Sequence, residues 1–116
     1  MLTIKAEVQK DRKRMDGTYN VKIRFTKDRA VKRISTNLFA TEEDLTADLK
    51  LKEVSVIKQE ADRLVLHYRM LFTSMHLDSE NLDVGEIVNR LLNASEIAMG
   101  INGALHGEER YKWFID

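Results

Sequence analysis

Eleven of the nineteen lysines and arginines fall within the first 37 positions: Lys5, Lys10, Arg12, Lys13, Arg14, Lys22, Arg24, Lys27, Arg29, Lys32 and Arg33. Four acids (Glu7, Asp11, Asp16, Asp28) stand against them, so this block carries net +7. Residues 38–116 hold eight bases and fifteen acids, net −7. The formal net charge of zero therefore hides two halves of opposite sign. Ammonium and guanidinium groups gathered in this way recognise a polyanion, most directly the DNA backbone. Phosphate repels the acidic half, so DNA must meet one end of the molecule.

The elements that position these cations read as strands. Tyr19, Val21, Ile23 and Phe25 alternate with Asn20, Lys22, Arg24 and Thr26, which puts the apolar set on one face and the polar set on the other. Leu2, Ile4, Ala6 and Val8 alternate in the same way with Thr3, Lys5, Glu7 and Gln9. Between them lie a solvated loop over Lys10–Arg14 and a turn at Asp16-Gly17. Lys27-Asp28-Arg29 connects to a third strand, Ala30–Asn37. The phase of that strand is ambiguous. Ile34 and Leu38 turn even positions inward, which sends Val31, Arg33 and Ser35 outward and leaves Lys32 on the apolar side.

From Thr41 the period becomes helical. Thr41-Glu-Glu-Asp44 predicts an N-capped single turn ending near Leu45, and Thr46 or Asp48 is expected to cap the long helix after it. Over about residues 49–75, Val54, Ile57, Ala61, Leu64, Tyr68, Leu71 and Met75 form a heptad-like stripe. Val56, Val65, Leu66 and Phe72 widen it. After a break at His76–Asn81, Asp83 caps a shorter helix to about residue 92, with Val84, Ile87, Val88, Leu91 and Leu92 as its apolar face. Gly100, Gly103 and Gly107 are expected to interrupt any helix beyond Ile97, and Tyr111–Asp116 closes the chain with an aromatic cluster.

Composition excludes several classes. The 116 residues suit one compact domain, or one small domain and the start of another. With no cysteine there is neither a disulfide framework nor a thiolate metal site, which fits a bacterial cytoplasm. No apolar run approaches the roughly 18 residues of a membrane span, and the polar N-terminus is no signal peptide. His67 and His76 lie nine apart, not on adjacent helical turns, so no metal site is expected. Gly100-Ile-Asn-Gly103 lacks both the spacing and the preceding strand of a nucleotide loop. A lone Tyr111 without a positioned Arg and His is no nucleophile. Neither cofactor nor small-molecule substrate is expected.

Lys22 and Arg24 project from one face about 7 Å apart, flanked by Lys5 on the first strand and Arg33 on the third. Such a sheet can enter the major groove, where Lys and Arg reach guanine acceptors or phosphates. Asn20 and Thr26 add hydrogen bonds to bases or phosphates, and Lys32 and Ser35 are further expected contacts on the third strand. Arg12, Lys13 and Arg14 suit clamping of the backbone from the loop. Tyr19 and Phe25 lie on the apolar face and not among the cations, which favours duplex over single strands. The bland alternative, cations that only solubilise an open sheet face, suits an isolated lysine better than eleven cations opposite an apolar face.

Lys10-Asp-Arg-Lys-Arg-Met-Asp-Gly-Thr-Tyr19, Val21-Lys-Ile-Arg24, Lys32-Arg-Ile-Ser-Thr-Asn-Leu38 and Thr41-Glu-Glu-Asp44 occur in an order that resembles the N-terminal region of tyrosine recombinases, the phage and conjugative-transposon integrases of Bacteroides type. The resemblance covers about residues 3–92 and implies an arm-type DNA-binding domain, a three-stranded sheet backed by helix that reads DNA through one sheet face. Residues 93–116 are then a linker or the start of a truncated core-binding domain. Nothing after residue 92 is large enough for the family's catalytic domain, so the chain is expected to be a fragment or a truncated product and recombinase activity to be absent.

The fold expected is α+β: an N-terminal three-stranded antiparallel sheet packed on a long helix, followed by a shorter one. The function expected is double-stranded DNA binding, with a homo-oligomer or recombinase subunits as further partners. The competing function is a dimerisation module acting through the long helix. A helix of about 27 residues spans about 40 Å, whereas strands of seven or eight reach about 25 Å. Part of the stripe would then overhang the sheet, for the second helix or a partner to cover.

Overall fold

The computed structural model describes residues 1–76 and 81–103, with side chains described to residue 96. Three strands, β1 (Thr3–Glu7), β2 (Tyr19–Lys27) and β3 (Ala30–Ala40), form an antiparallel sheet in the order β1-β2-β3. Two helices come after the sheet, α1 (Val56–Met75) and α2 (Val84–Gly103). The expected α+β architecture is present. Helix α1 lies against β1 and β3, while α2 lies against β2, β3 and α1.

The alternation in β2 organises the core. Every odd residue from Tyr19 to Lys27 is buried, and every even one is only half-buried. Val21, Ile23 and Phe25 are 0% exposed. Phe25 meets the edge of Tyr68 on α1 at 5.7 Å between ring centres, a favourable aromatic geometry. Ile87, Val88 and Leu91 of α2 close over the same cluster. A second cluster at the other end gathers Tyr19, Val21, Ala40, Leu45 and Ala61. Lys27 belongs to this buried face and not to the connector. Its stem is enclosed and its ammonium donates to the Leu82 carbonyl, so the charged head finds a partner while the methylenes pack.

The connector between β2 and β3 is only Asp28-Arg29, closed by the Lys27–Ala30 pair. Both residues have positive φ, 50° and 70°, the signature of the turn whose twist matches that of the flanking strands. Strand β3 faces as its even residues suggested. It also carries an irregularity: Asn20 pairs with Phe39 and Lys22 with Ser35, so Val21 alone faces Thr36, Asn37 and Leu38. The side chain of Asn20 donates to the carbonyls of Thr36 (2.8 Å) and Leu38 (3.1 Å), and the Thr36 hydroxyl donates to the Val21 carbonyl (2.6 Å). Two extra residues preserve the period-2 phase, so Ala40 stays buried beside Tyr19.

Several helix boundaries differ from expectation. The 3-10 turn Glu42–Asp44 is present, and the Asp44 carboxylate accepts from the Thr41 N–H at 2.9 Å. Residues 45–51 then form a small loop closed by a Leu45–Leu51 bridge, with Leu49 at φ 59°. Helix α1 therefore starts at Val56. Its cap is Ser55 and not Thr46 or Asp48, for Ser55 Oγ accepts from the N–H groups of Ile57 (3.0 Å) and Lys58 (3.4 Å). Val54 lies outside the helix, and Val54, Val56 and Leu66 are exposed. The rest of the stripe packs inward, from Ile57 through Ala61, Leu64, Tyr68 and Leu71 to Met75.

At 20 residues, α1 spans about 30 Å, close to the length of the nine-residue β2. The overhang expected of a longer helix is absent. Helix α1 ends where His76 adopts a left-handed conformation, φ 50°.

Asp83 caps α2 as expected, accepting from the Glu86 N–H at 2.8 Å. That helix is as long as α1, 20 residues, and passes through Gly100 to Gly103. The boundary expected at residue 92 falls in its middle. A glycine costs a helix only about 1 kcal/mol, too little to end it by itself. Gly107 and the aromatic cluster Tyr111–Asp116 lie outside the described residues.

Arg29 is held in a conformation that costs an L-residue with a Cβ roughly 1–2 kcal/mol. Arg29→Gly is expected to stabilise the hairpin by about 1 kcal/mol and raise the melting temperature by roughly 4–8 °C. A melt that stays unchanged or falls would show that Arg29 makes compensating contacts.

Candidate nucleic-acid interface

Both helices cover one face of the sheet, and among the described residues no helix or strand covers the opposite face. Pairing registers set its layout. Lys5, Arg24 and Arg33 lie in one row across the three strands; Glu7, Lys22 and Ser35 form the next; Thr3, Thr26 and Val31 form the row on the other side. With strands about 4.8 Å apart, each row is about 10 Å wide. Five of the ten expected contact residues (Lys5, Lys22, Arg24, Arg33 and Ser35) thus come together on this surface.

Glu7, which charge counting set aside, wires the surface. Its carboxylate meets Arg24 Nη1 at 3.3 Å and Arg33 Nε at 2.5 Å. The two guanidinium groups are therefore held side by side over the middle strand. Lys22 Nζ donates to Ser35 Oγ at 3.0 Å. Three shielded side-chain atoms, Asn20 Oδ1, Arg24 Nε and Thr26 Oγ1, have no hydrogen-bond partner among the described residues. All three belong to the open-face residues of β2. Buried polar atoms are usually paired, so this cluster marks a surface that its own side chains do not satisfy.

The remaining expected contacts disperse. Arg14 joins the open face indirectly, its guanidinium 4.4 Å from the ring centre of Phe39, an outward residue of β3. Asn20 is on the right face, but its amide nitrogen is committed to the β3 irregularity. Lys13 turns to the other side. It pairs with Glu42 at 2.7 Å, and that hydrogen bond raises the Lys13 pKa and lowers that of Glu42. Lys32 pairs with the buried Phe25 and so stands on the helix side of β3, exposed at its rim. Arg12 is exposed in a 3-10 turn, Lys10–Arg12. The parity of β3 distinguishes Arg33 and Ser35 from Lys32, and it also points to Phe39, which the sequence reading passed over.

A second polar cluster joins the helices. His67 Nε2 lies 2.8 Å from Ser95 Oγ, and Tyr68 also bonds to Ser95. A hydroxyl beside an imidazole is the pairing of nucleophilic hydrolysis. Ser95, however, is only 1% exposed, so substrate has no approach and the cluster acts as a bolt between α1 and α2. Among the described residues no group of three His, Cys, Asp or Glu could hold a metal ion, and no helix is long and apolar enough to cross a membrane.

No protein-family model, curated protein or solved structure matches this chain. Its own geometry therefore carries the functional reading.

Burial holds the His67 pKa below its ordinary value. As pH falls, the unfolded chain takes up that proton first, so stability is full above about pH 6.5 and declines below it. Thermal melts between pH 7.5 and 5.5 should show this decline, and His67→Gln should flatten it. An unchanged slope in the variant would assign the decline to another group.

Proposed function

We propose that this chain binds double-stranded DNA through the open face of its sheet, as the arm-site-recognition part of a tyrosine-recombinase-type integrase. The observation that carries the DNA reading is the cationic row Lys5–Arg24–Arg33 with Lys22 beside it, on the face left bare by both helices. Its breadth of about 10 Å suits a major groove about 12 Å wide. The arm-site assignment rests on the motif order in residues 10–44 and on a sheet-then-helix architecture of the kind that resemblance implies.

Mechanistically, Lys22 and Arg24 sit at the centre of the surface and are the groups best placed to reach base edges. Arg24 and Arg33 reach phosphate or guanine only by loosening their hold on Glu7, so the acid tempers non-specific attraction. Arg14, braced on Phe39, and the exposed Arg12 extend the contact to flanking phosphates. Helices α1 and α2 together carry four bases and four acids, no net charge, so the cations of the open face set the direction of approach. Dimerisation through the α1 stripe is disfavoured because those side chains fill the core.

Duplex affinity should fall steeply with salt, since each neutralised phosphate releases counterions. Replacing Lys22 and Arg24 together with Ala should reduce the log–log salt slope by roughly one to two. A titration showing no duplex affinity at low salt would remove the proposal, and an unchanged slope would move the contact off β2.

A further inference from the structure

Strand β1 is an edge of the sheet, and among the described residues its outer side pairs with no other strand. Arg69 Nη2 reaches the Ile4 carbonyl from that side at 3.0 Å, which sets the backbone polar groups of Ile4 outward. By the alternation of antiparallel ladders, those of Ala6 point outward too. A groove of about 690 Å³ runs along this edge, walled by Leu49 and Leu51 of the small loop and by Val65 and Leu66 of α1. Leu66 is 55% exposed, and Met70, one turn further along α1, is 63% exposed. An unpaired edge beside exposed apolar side chains is a template for another strand.

We propose that the occupant is the same edge of a second copy, running antiparallel with Ala6 on a two-fold axis. Charge complementarity selects both the partner and the register. With Ala6 opposite the partner's Ala6, Lys5 stands opposite the partner's Glu7, and Glu7 opposite the partner's Lys5. Centring one residue earlier would set Lys5 against the partner's Lys5; centring one later would oppose two glutamates. Opposite charges directly across a ladder attract, and like charges repel. The helix-side face agrees, since the same register sets Ile4 opposite the partner's Val8, apolar against apolar beneath the groove walls.

Ala6 keeps the axis uncrowded. The Ile4 carbonyl has two lone pairs, so Arg69 can stay while the new strand binds. Glu7 likewise accepts a third cation beside Arg24 and Arg33. The pairing is isologous and closes on itself. It converts two three-stranded sheets into one of six strands, with the cationic rows of both copies on one continuous face.

The chain has no cysteine, which permits a direct test of register. Residues in a hydrogen-bonded antiparallel pair have Cα atoms about 5.5 Å apart, within disulfide reach. Ala6→Cys should therefore cross-link to itself under mild oxidation. Val8→Cys should not, because the two Val8 positions lie four residues out of register, about 13 Å apart.

The unmodified protein should sediment at 13.5 kDa when dilute and approach twice that mass near millimolar concentration. Lys5→Glu, at an exposed position, should weaken the association about tenfold by setting acids against acids. A mass of 13.5 kDa at every concentration with no Ala6→Cys cross-link would overturn the pairing and leave the groove to an extended peptide. Equal cross-linking of both cysteine variants would overturn it too. The pairing needs no nucleic acid, so its failure leaves the DNA proposal standing.

Discussion

The two-residue irregularity opposite Val21 is the constraint on which the sheet's division of labour rests. Side chains in a strand alternate with period two, so a single inserted residue would exchange the faces of β3 beyond it. Ala40 would swing out of the core and Phe39 would swing in. Two residues leave the phase intact. Asn20 and Thr36 hold the widened segment by bonding its carbonyls and the Val21 carbonyl. The same inward face can then run from Ile34 to Ala40, and the outward face from Arg33 to Phe39.

With the faces fixed, each layer can specialise. The inward face carries fully enclosed side chains, Val21, Ile23 and Phe25, and needs two helices to cover it because three strands alone are barely stable. The outward face needs no cover and collects cations. Glu7 then does for Arg24 and Arg33 what a phosphate could do: it holds two guanidinium groups at a fixed separation. A polyanion that engages the pair has to displace that carboxylate. The two loop residues Asp28 and Arg29 close the hairpin in a left-handed turn.

Much of this was legible in the sequence, in proportion to how local the determining physics is. The β2 alternation, the Asp16-Gly17 turn, the Thr41–Asp44 turn and the Asp83 cap depend on neighbours in sequence, and all appear in the structure. The start of α1 did not read correctly. Ser55 competes with Thr46 and Asp48 as a cap, and Ser55 gains an extra bond to Asp44 (2.9 Å) that only the folded loop supplies. The extent of α2 was missed because glycine is a weak stop signal, costing a helix only about 1 kcal/mol.

For the candidate site, residue type and parity identified Lys5, Lys22, Arg24 and Arg33. Parity alone could not show that Lys13 would be drawn to Glu42, or that Asn20 would be spent on the irregularity. Nor could it show Glu7 bridging two strands to bind two arginines. Those depend on register, which emerges only when the strands pair.

The central claim is that duplex DNA meets the open face of the sheet. Heteronuclear NMR of the labelled protein with an unlabelled duplex tests it residue by residue. Resonance shifts should concentrate on Lys5, Lys22, Arg24, Thr26 and Arg33 and leave the outer surfaces of α1 and α2 unmoved. Shifts centred on the helices, or none at all at low salt, would contradict it.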